Sequence, residues 1–319
     1  MNELAGSVVV VTGASRGIGA ATARAFAAIG CHVVLAARST DQISALAEEL
    51  QEKWGIKALA ITTDVRDAGQ IEALMSTAQE QLGGIDILIN NAGLGSSSPV
   101  AQTSEAEMAH LFEVNVFGPV RAMRAAIPYL RQRGGGTIVN VGSIVSYLAL
   151  PADGKSAVSA TYCATKFALR AYTTAARAEL MAANVHTVLA VVGLTQTDFQ
   201  KAAFRAQDGA EATTERRRSI LTGMRGLAVS PDKVAARLIK AVQRQENEVC
   251  VSWFDRVLIQ KTMLVPGLED FLGRMYLAMG SGNAVGQYLR GRDYVAMAGL
   301  LLFLRLGCQR LFRRRRSTS

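Results

Sequence analysis

The stretch Val8-Val9-Val10-Val11-Thr12-Gly13-Ala14-Ser15-Arg16-Gly17-Ile18-Gly19 decides how this chain folds. Five β-branched residues run into a turn holding three glycines, and the helix-period segment Ala20–Ile29 follows. A glycine turn alone says little, because tight turns need glycine anyway. Placed between a first strand and a first helix, it lets the backbone approach a pyrophosphate, which the helix N-terminus then stabilises.

The same alternation continues outward from this turn. Short, nearly continuous apolar runs fall at Ser7–Thr12, His32–Ala37, Lys57–Thr62, Asp86–Asn90, Thr137–Gly142, His186–Val192 and Glu248–Ser252. Such runs suit parallel strands buried on both faces. Between them lie the alanine- and leucine-rich segments Asp41–Lys53, Gln70–Leu82, Glu105–Arg133 and Thr161–Ala183. Ser39 or Thr40 is available as the N-cap of the second helix. The pattern predicts an α/β fold with a Rossmann-type doubly wound parallel sheet of about seven strands, complete by Ser252. Residues 1–252 are expected to form the dinucleotide-binding and catalytic domain, and 253–319 a helical extension broken at Pro266-Gly267.

Composition narrows the classes. The chain has 319 residues, 50% of them hydrophobic and 19% charged, so a large core is available and global disorder is excluded. The net charge of +9 is concentrated in the tail, where no acid follows Asp293 and Arg305, Arg310 and Arg313–Arg316 stand together. The basic run lacks interleaved aromatics, so no nucleic acid is expected. Cys31, Cys163, Cys250 and Cys308 lie far apart, and His32, His110 and His186 share no ligand spacing, which argues against a disulfide scaffold and a metal site. The N-terminus lacks the basic region and cleavage site of a signal peptide. A cytoplasmic protein is expected.

The end of the second strand bears on the dinucleotide. Sites that prefer NAD place a carboxylate there for the ribose 2′-OH. This strand ends Leu35-Ala36-Ala37-Arg38, with no acid before Asp41. Arg38, helped by Arg16, can pair with a 2′-phosphate, so NADP(H) is expected. Asp64-Val65, after the third strand, is placed to meet the adenine ring, although a loop Asp also serves as a helix cap. Tyr162 and Lys166 stand at i and i+4 on one helix face, where an ammonium near a phenol lowers the phenol's usual pKa of about 10.

Together with Thr12-Gly13, Gly17, Gly19, Asn90-Asn91-Ala92-Gly93, Asn115 and Ser143, that pair resembles the short-chain dehydrogenase/reductases over residues 4–252. The resemblance implies roles residue by residue. Tyr162 would be the acid/base, Lys166 would hold the nicotinamide ribose and depress the tyrosine pKa, and Ser143 would bind the substrate oxygen. Asn115 would hold a water linking Lys166 to solvent. Gly13, Ser15, Arg16, Gly17, Ile18, Gly19, Arg38, Asp64, Val65, Asn91, Ala92, Gly93 and Thr197 would line the cofactor site with Tyr162 and Lys166. Two departures stand out. Val192-Gly193 replaces the usual Pro-Gly step, and Ser143 and Tyr162 are 19 positions apart, longer than usual, with the extra residues at Pro151–Thr161. Ser146 and Ser159 remain alternatives to Ser143.

The expected activity is hydride transfer between NADP(H) and a carbonyl or alcohol substrate with an apolar flank. The alternatives are a 3-oxoacyl-carrier-protein reductase and a non-catalytic NADP-binding protein. Phe199, Phe204, Leu221 and Met224, within Thr195–Val229, can face a lid over the substrate. The resemblance also implies a homo-oligomer formed through helices Glu105–Arg133 and Thr161–Ala183. Tyr294–Leu304, 11 apolar residues ahead of the arginines, is short for a membrane span of about 20. It suits either peripheral contact with an anionic membrane surface or packing on the protein.

Overall fold

In the computed structural model, residues 4–152, 158–197, 199, 228–265 and 267–281 are described, with backbone alone for 275–281. Seven strands form one sheet: β1 Val8–Thr12, β2 His32–Ala37, β3 Ala58–Thr62, β4 Ile87–Asn90, β5 Gly136–Val141, β6 Val185–Val191 and β7 Glu248–Cys250. All pairings are parallel, in the order β3-β2-β1-β4-β5-β6-β7. The order reverses between β1 and β4, and that switch point opens a crevice at the carboxyl edge of the sheet.

Side-chain alternation explains the two cores. Val9 and Val11 of β1 join Phe26, Leu35, Ile43, Leu50, Val234 and Leu238 on one face. Val8 and Val10 join Ile71, Leu74, Met75, Leu130 and Ile138 on the other. The helices covering the first face are α1 Gly17–Ala28, α2 Thr40–Trp54 and α7 Pro231–Gln243. Those on the second are α3 Ala68–Leu82, α5 Gly118–Gln132 and α6 Ala160–Glu179, with α4 Glu105–Phe112 preceding α5. β3 departs from the expected burial on both faces: as the sheet's edge strand it keeps Ile61 only half-buried, and Ala60 and Thr62 are exposed.

Three local readings change. The single helix expected over Glu105–Arg133 is interrupted by a π-helical turn, Glu113–Phe117. The segment Thr161–Ala183 resolves into α6 and a 3₁₀ turn, Met181–Ala183. Ser39 holds the N-cap position of α2 without a side-chain cap, and Thr40 Oγ1 bonds Thr62 Oγ1 at 2.7 Å instead. Conventional caps stand at Asp67, Ser104, Ser159 and Ser230, each accepting the N–H three residues on.

Leu194 and Val229 are joined by the Val229 N–H to the Leu194 carbonyl at 2.9 Å, so the segment between them leaves and returns at one place. Phe204, Leu221 and Met224 lie outside the described residues. After β7 come α8 Trp253–Leu264 and α9 Leu268–Ser281, separated at Gly267, whose φ is +80°. Packing divides the chain into two units, Met1–Ile259 and Gln260–Ser319. Asp255 and Ile259 of α8 thus belong to the first unit. Among the described residues no helix is long and apolar enough to cross a membrane. Tyr294–Leu304 and the arginines behind it lie outside the described residues.

Candidate active site

At the switch point the glycine turn is built by backbone proximity. Gly13 and Gly17 have φ of +65° and +57°, a conformation other residues rarely adopt. A Cβ on Gly13 would lie 2.8 Å from the Ala92 Cα, and one on Gly17 would lie 3.3 Å from Thr197 Cγ2. Thr197 therefore stands beside the glycine turn although it is remote in sequence. Asn91 Nδ2 donates to the carbonyls of Thr12 (3.0 Å) and Gly13 (3.1 Å), and Thr12 Oγ1 accepts the N–H groups of Asn91 and Ala92. The turn Asn91–Gly93 is thereby clamped to the turn after β1. Ile18 packs on the first core, and Arg16 occupies the N-cap of α1 with no side-chain cap, leaving its guanidinium uncommitted to the helix.

Arg38 follows β2 directly and lies close enough to Asp64 to help hold that carboxyl below its usual range. The larger cause is Arg66, whose Nε and guanidinium NH2 bond both Asp64 oxygens at 2.6–3.0 Å. Asp64 therefore does not cap α3, a position taken by Asp67. Val65 is buried against α5, where a Cβ on Gly118 would meet its Cγ2 at 2.9 Å.

On the other side of the crevice, Ser143 follows β5; its Oγ accepts the Val145 N–H at 3.4 Å and lies close enough to the Tyr162 phenol to favour the ionised form. The alternatives are occupied elsewhere. Ser146 Oγ accepts the Ser143 N–H at 3.2 Å, and Ser159 Oγ accepts the Tyr162 N–H at 3.2 Å as the cap of α6. Lys166 Nζ lies 5.8 Å from the Tyr162 ring centroid and donates to the Val141 carbonyl at 3.0 Å. Tyr162 and Lys166 are each 6% exposed. Burial therefore governs both: it raises the Tyr162 pKa and pushes Lys166 down to about 8. That corrects the expectation of a phenol depressed by its lysine, because desolvation of the phenolate is here the larger effect.

Asn115 sits on the π-helical turn, fully buried. Its amide donates to the Leu94 carbonyl (2.8 Å) and Thr165 Oγ1 (3.1 Å), and its Oδ1 accepts the Leu94 N–H (2.8 Å). A Cβ on Gly93 would lie 3.4 Å from Asn115 Oδ1 and 3.8 Å from Lys166 Nζ, so the two side chains meet at Gly93. Sequence reading missed this turn, since Glu113-Val114-Asn115-Val116-Phe117 looks like ordinary helix; π turns recur at functional sites. It also missed Leu258, which packs with Phe199 on the cluster of Val145, Leu148 and Tyr162. The Phe199 ring centroid is 5.8 Å from that of Tyr162. Nothing in the segment around Leu258 signals that contact locally.

A parallel sheet with a glycine turn at its switch point, and Ser143, Tyr162 and Lys166 grouped across the crevice, define a doubly wound α/β protein. The family model for short chain dehydrogenase matches residues 7–208, and the chain belongs to that family of oxidoreductases. It is 33% identical over 254 residues to the ketoacyl reductase HetN of Nostoc sp., covering 79% of this chain and 80% of that one. It is 29% identical over 279 residues to the NADP-dependent 3-hydroxy acid dehydrogenase of Schizosaccharomyces pombe, covering 86% and 98%. A crystal structure of a short-chain dehydrogenase/reductase from Burkholderia phymatum in complex with NAD superposes with a TM-score of 0.73 at 25% identity, covering 84% of this chain and 96% of that one.

Proposed function

We propose that the protein is an NADP(H)-dependent carbonyl reductase, acting reversibly on a small carbonyl or alcohol with an apolar flank. The observation that carries this reading is the Ser143 hydroxyl standing close to the buried Tyr162 phenol, with the buried Lys166 Nζ 5.8 Å from the phenol ring centroid. The positive-φ glycines at the start of α1 fit a dinucleotide, since they let the bare backbone turn tightly and leave the helix N-terminus open to its phosphates. When bound, the nicotinamide supplies the hydride.

Tyr162 does the proton chemistry. Because burial raises its pKa, the phenol keeps its proton at neutral pH and can donate it to a carbonyl oxygen. Ser143 donates a second hydrogen bond to that oxygen, where negative charge develops. Lys166, when charged, stabilises the phenolate left behind and holds the nicotinamide ribose. Asn115, meeting Lys166 at Gly93, keeps a water for proton resupply. Gly13, Ser15, Gly17, Ile18, Gly19, Asn91, Ala92 and Gly93 cradle the dinucleotide, Thr197 takes its carboxamide, and Asp64 and Val65 flank its adenine. The apolar flank is formed by Phe199, Leu258 and Val158 beside Tyr162.

NADP(H) is preferred to NAD(H) because Arg38 follows β2 with no carboxylate at that strand end, and Arg16 stands in the glycine turn. The NADP-dependent relative supports the choice. Residues 1–252 are taken as the body of the catalytic domain, to which the start of α8 adds Asp255, Leu258 and Ile259, and the rest of 253–319 as a helical extension with a basic tail, which meets an anionic membrane surface. Association of copies through α4, α5 and α6 is consistent with exposed Phe117 and Tyr172.

A second reading, reduction of 3-oxoacyl thioesters, is favoured by the likeness to a ketoacyl reductase. NADPH oxidation by the purified protein across aldehydes, ketones and a 3-oxoacyl thioester separates the two. Turnover of free ketones well above the thioester is expected; the reverse would favour the second reading, and none with any carbonyl would leave a dinucleotide-binding protein.

A further inference from the structure

Helix α8 starts behind Ser252, whose Oγ accepts the Phe254 N–H at 3.2 Å. Ser252-Trp253-Phe254-Asp255 has the spacing of a reciprocal cap, in which the acid turns back to the capping residue's N–H. Asp255 does not do so. Among the described residues its carboxyl has no hydrogen-bond partner, and burial pushes its pKa up to about 6. The residue is only 8% exposed, and its carboxyl lies over Gly193: a Cβ there would fall within 2.7 Å of Cγ, Oδ1 and Oδ2.

Neighbouring contacts fix where this carboxyl stands. Leu189 and Val191 of β6 share a cluster with Ile259 of α8. Gly193 continues that alternation past the strand end, and Asp255 is one helical turn before Ile259. Asp255 thus lies at the carboxyl edge of the sheet, above the apolar layer. Leu258 of the same helix reaches the Tyr162 cluster, and the Ile144 N–H next to Ser143 donates to the Val192 carbonyl at 3.1 Å. The segments that carry Ser143 and Tyr162 therefore pack on the same helix and the same strand end as this carboxyl.

We propose that Asp255 is a substrate-recognition residue, its carboxylate receiving a hydroxyl or ammonium group borne on the substrate a few carbons from the carbonyl held by Ser143 and Tyr162. This rests on the reductase reading and adds a substrate class to it. A buried carboxylate without a partner is costly, and its apolar neighbours would pack on a leucine more favourably. A site that expects a donor discriminates strongly, because a ligand lacking one leaves the buried acceptor unpaired.

The test is calorimetric titration of the full chain, saturated with NADP⁺, with matched ligands: a straight-chain methyl ketone, and the same ketone bearing a hydroxyl or amino group two or three carbons away. Wild type is expected to bind the donor-bearing member at least tenfold more tightly. Asp255→Asn should cut that ratio below threefold, and Asp255→Leu should invert it, with melting temperatures at or above wild type. Equal binding of both members by wild type, or a ratio unchanged in Asp255→Asn, overturns the assignment. So does a lower melting temperature in both variants, which would make the carboxyl structural. Intact discrimination without turnover of any carbonyl counts against the reductase reading and leaves the role of Asp255 standing.

Discussion

The two halves of the sheet's carboxyl edge are built on different terms. Around β1 and β4, Thr12 and Asn91 are satisfied by backbone partners, and the glycines are fixed by protein atoms lying where a side chain would go. Around β5, β6 and α8, Tyr162, Lys166 and Asp255 are buried, and desolvation leads the causes that move their pKa values. On the proposed reading, one half is a close-packed template for the dinucleotide. The other holds ionisable groups away from water, where protonation responds to a reacting neighbour. The contrast teaches that binding and chemistry draw on separate resources, and each can be broken separately.

Two glycines offer the sharpest break. A Cβ on Gly19 would sit on the Gly13 carbonyl oxygen and 2.6 Å from Asn91 Nδ2, both parts of the template. Gly19→Ala is expected to cost ~3 kcal/mol and to weaken dinucleotide binding beyond what fluorescence titration can follow. Gly193→Ala meets a side chain instead and should cost ~1–3 kcal/mol. Most of that should return in an Asp255→Ala background, as a double-mutant cycle in urea would reveal. Equal recovery of Gly19→Ala by any side-chain truncation would erase the distinction.

Arg38→Asp touches the template half alone. Loss of a charge-assisted bond worth ~1.5–3 kcal/mol predicts a roughly ten- to hundredfold weaker NADPH complex, with NADH affinity little changed. Titration of both nucleotides checks this, and a wild type that prefers NADH would contradict the cofactor choice.

A smaller effect belongs to the chemical half. Lys166, with a pKa of about 8, is charged below that pH and neutral above it, so carbonyl reduction should decline as pH rises through 8. The sign for stability is opposite. Its folded pKa lies below the ordinary 10.5, so the buried charge is a full burden below pH 8, and this contribution to stability rises between about 8 and 10.5. Lys166→Met should flatten that rise in denaturant midpoints measured across the window.

Legibility in the sequence follows the same division. Val8–Gly19 and the later apolar runs mark the strands within one or two residues, because fully buried parallel strands need continuous apolar sequence. The glycine turn is legible for the same reason: its residue types are dictated by the local backbone. Ser143, Tyr162 and Lys166 are recognisable as a set, and their meeting across the crevice appears only in the fold. The raised Tyr162 pKa was not legible, since it depends on burial contributed by Leu148, Phe199 and Leu258. The π turn at Asn115 and the inward turn of Asp255 depend on tertiary contacts with no local signature.

The most direct measurement is isotope transfer. NADPH deuterated at the transferred position is incubated with a reducible ketone, and the product alcohol is examined by mass spectrometry for wild type and Tyr162→Phe. One deuterium on the carbinol carbon is expected for wild type. No label above background is expected for the variant, whose NADPH affinity should stay within about twofold because the phenyl ring preserves the packing. Comparable label transfer by Tyr162→Phe would contradict the assignment of the proton to this phenol, and no transfer by wild type to any carbonyl would contradict the reaction itself.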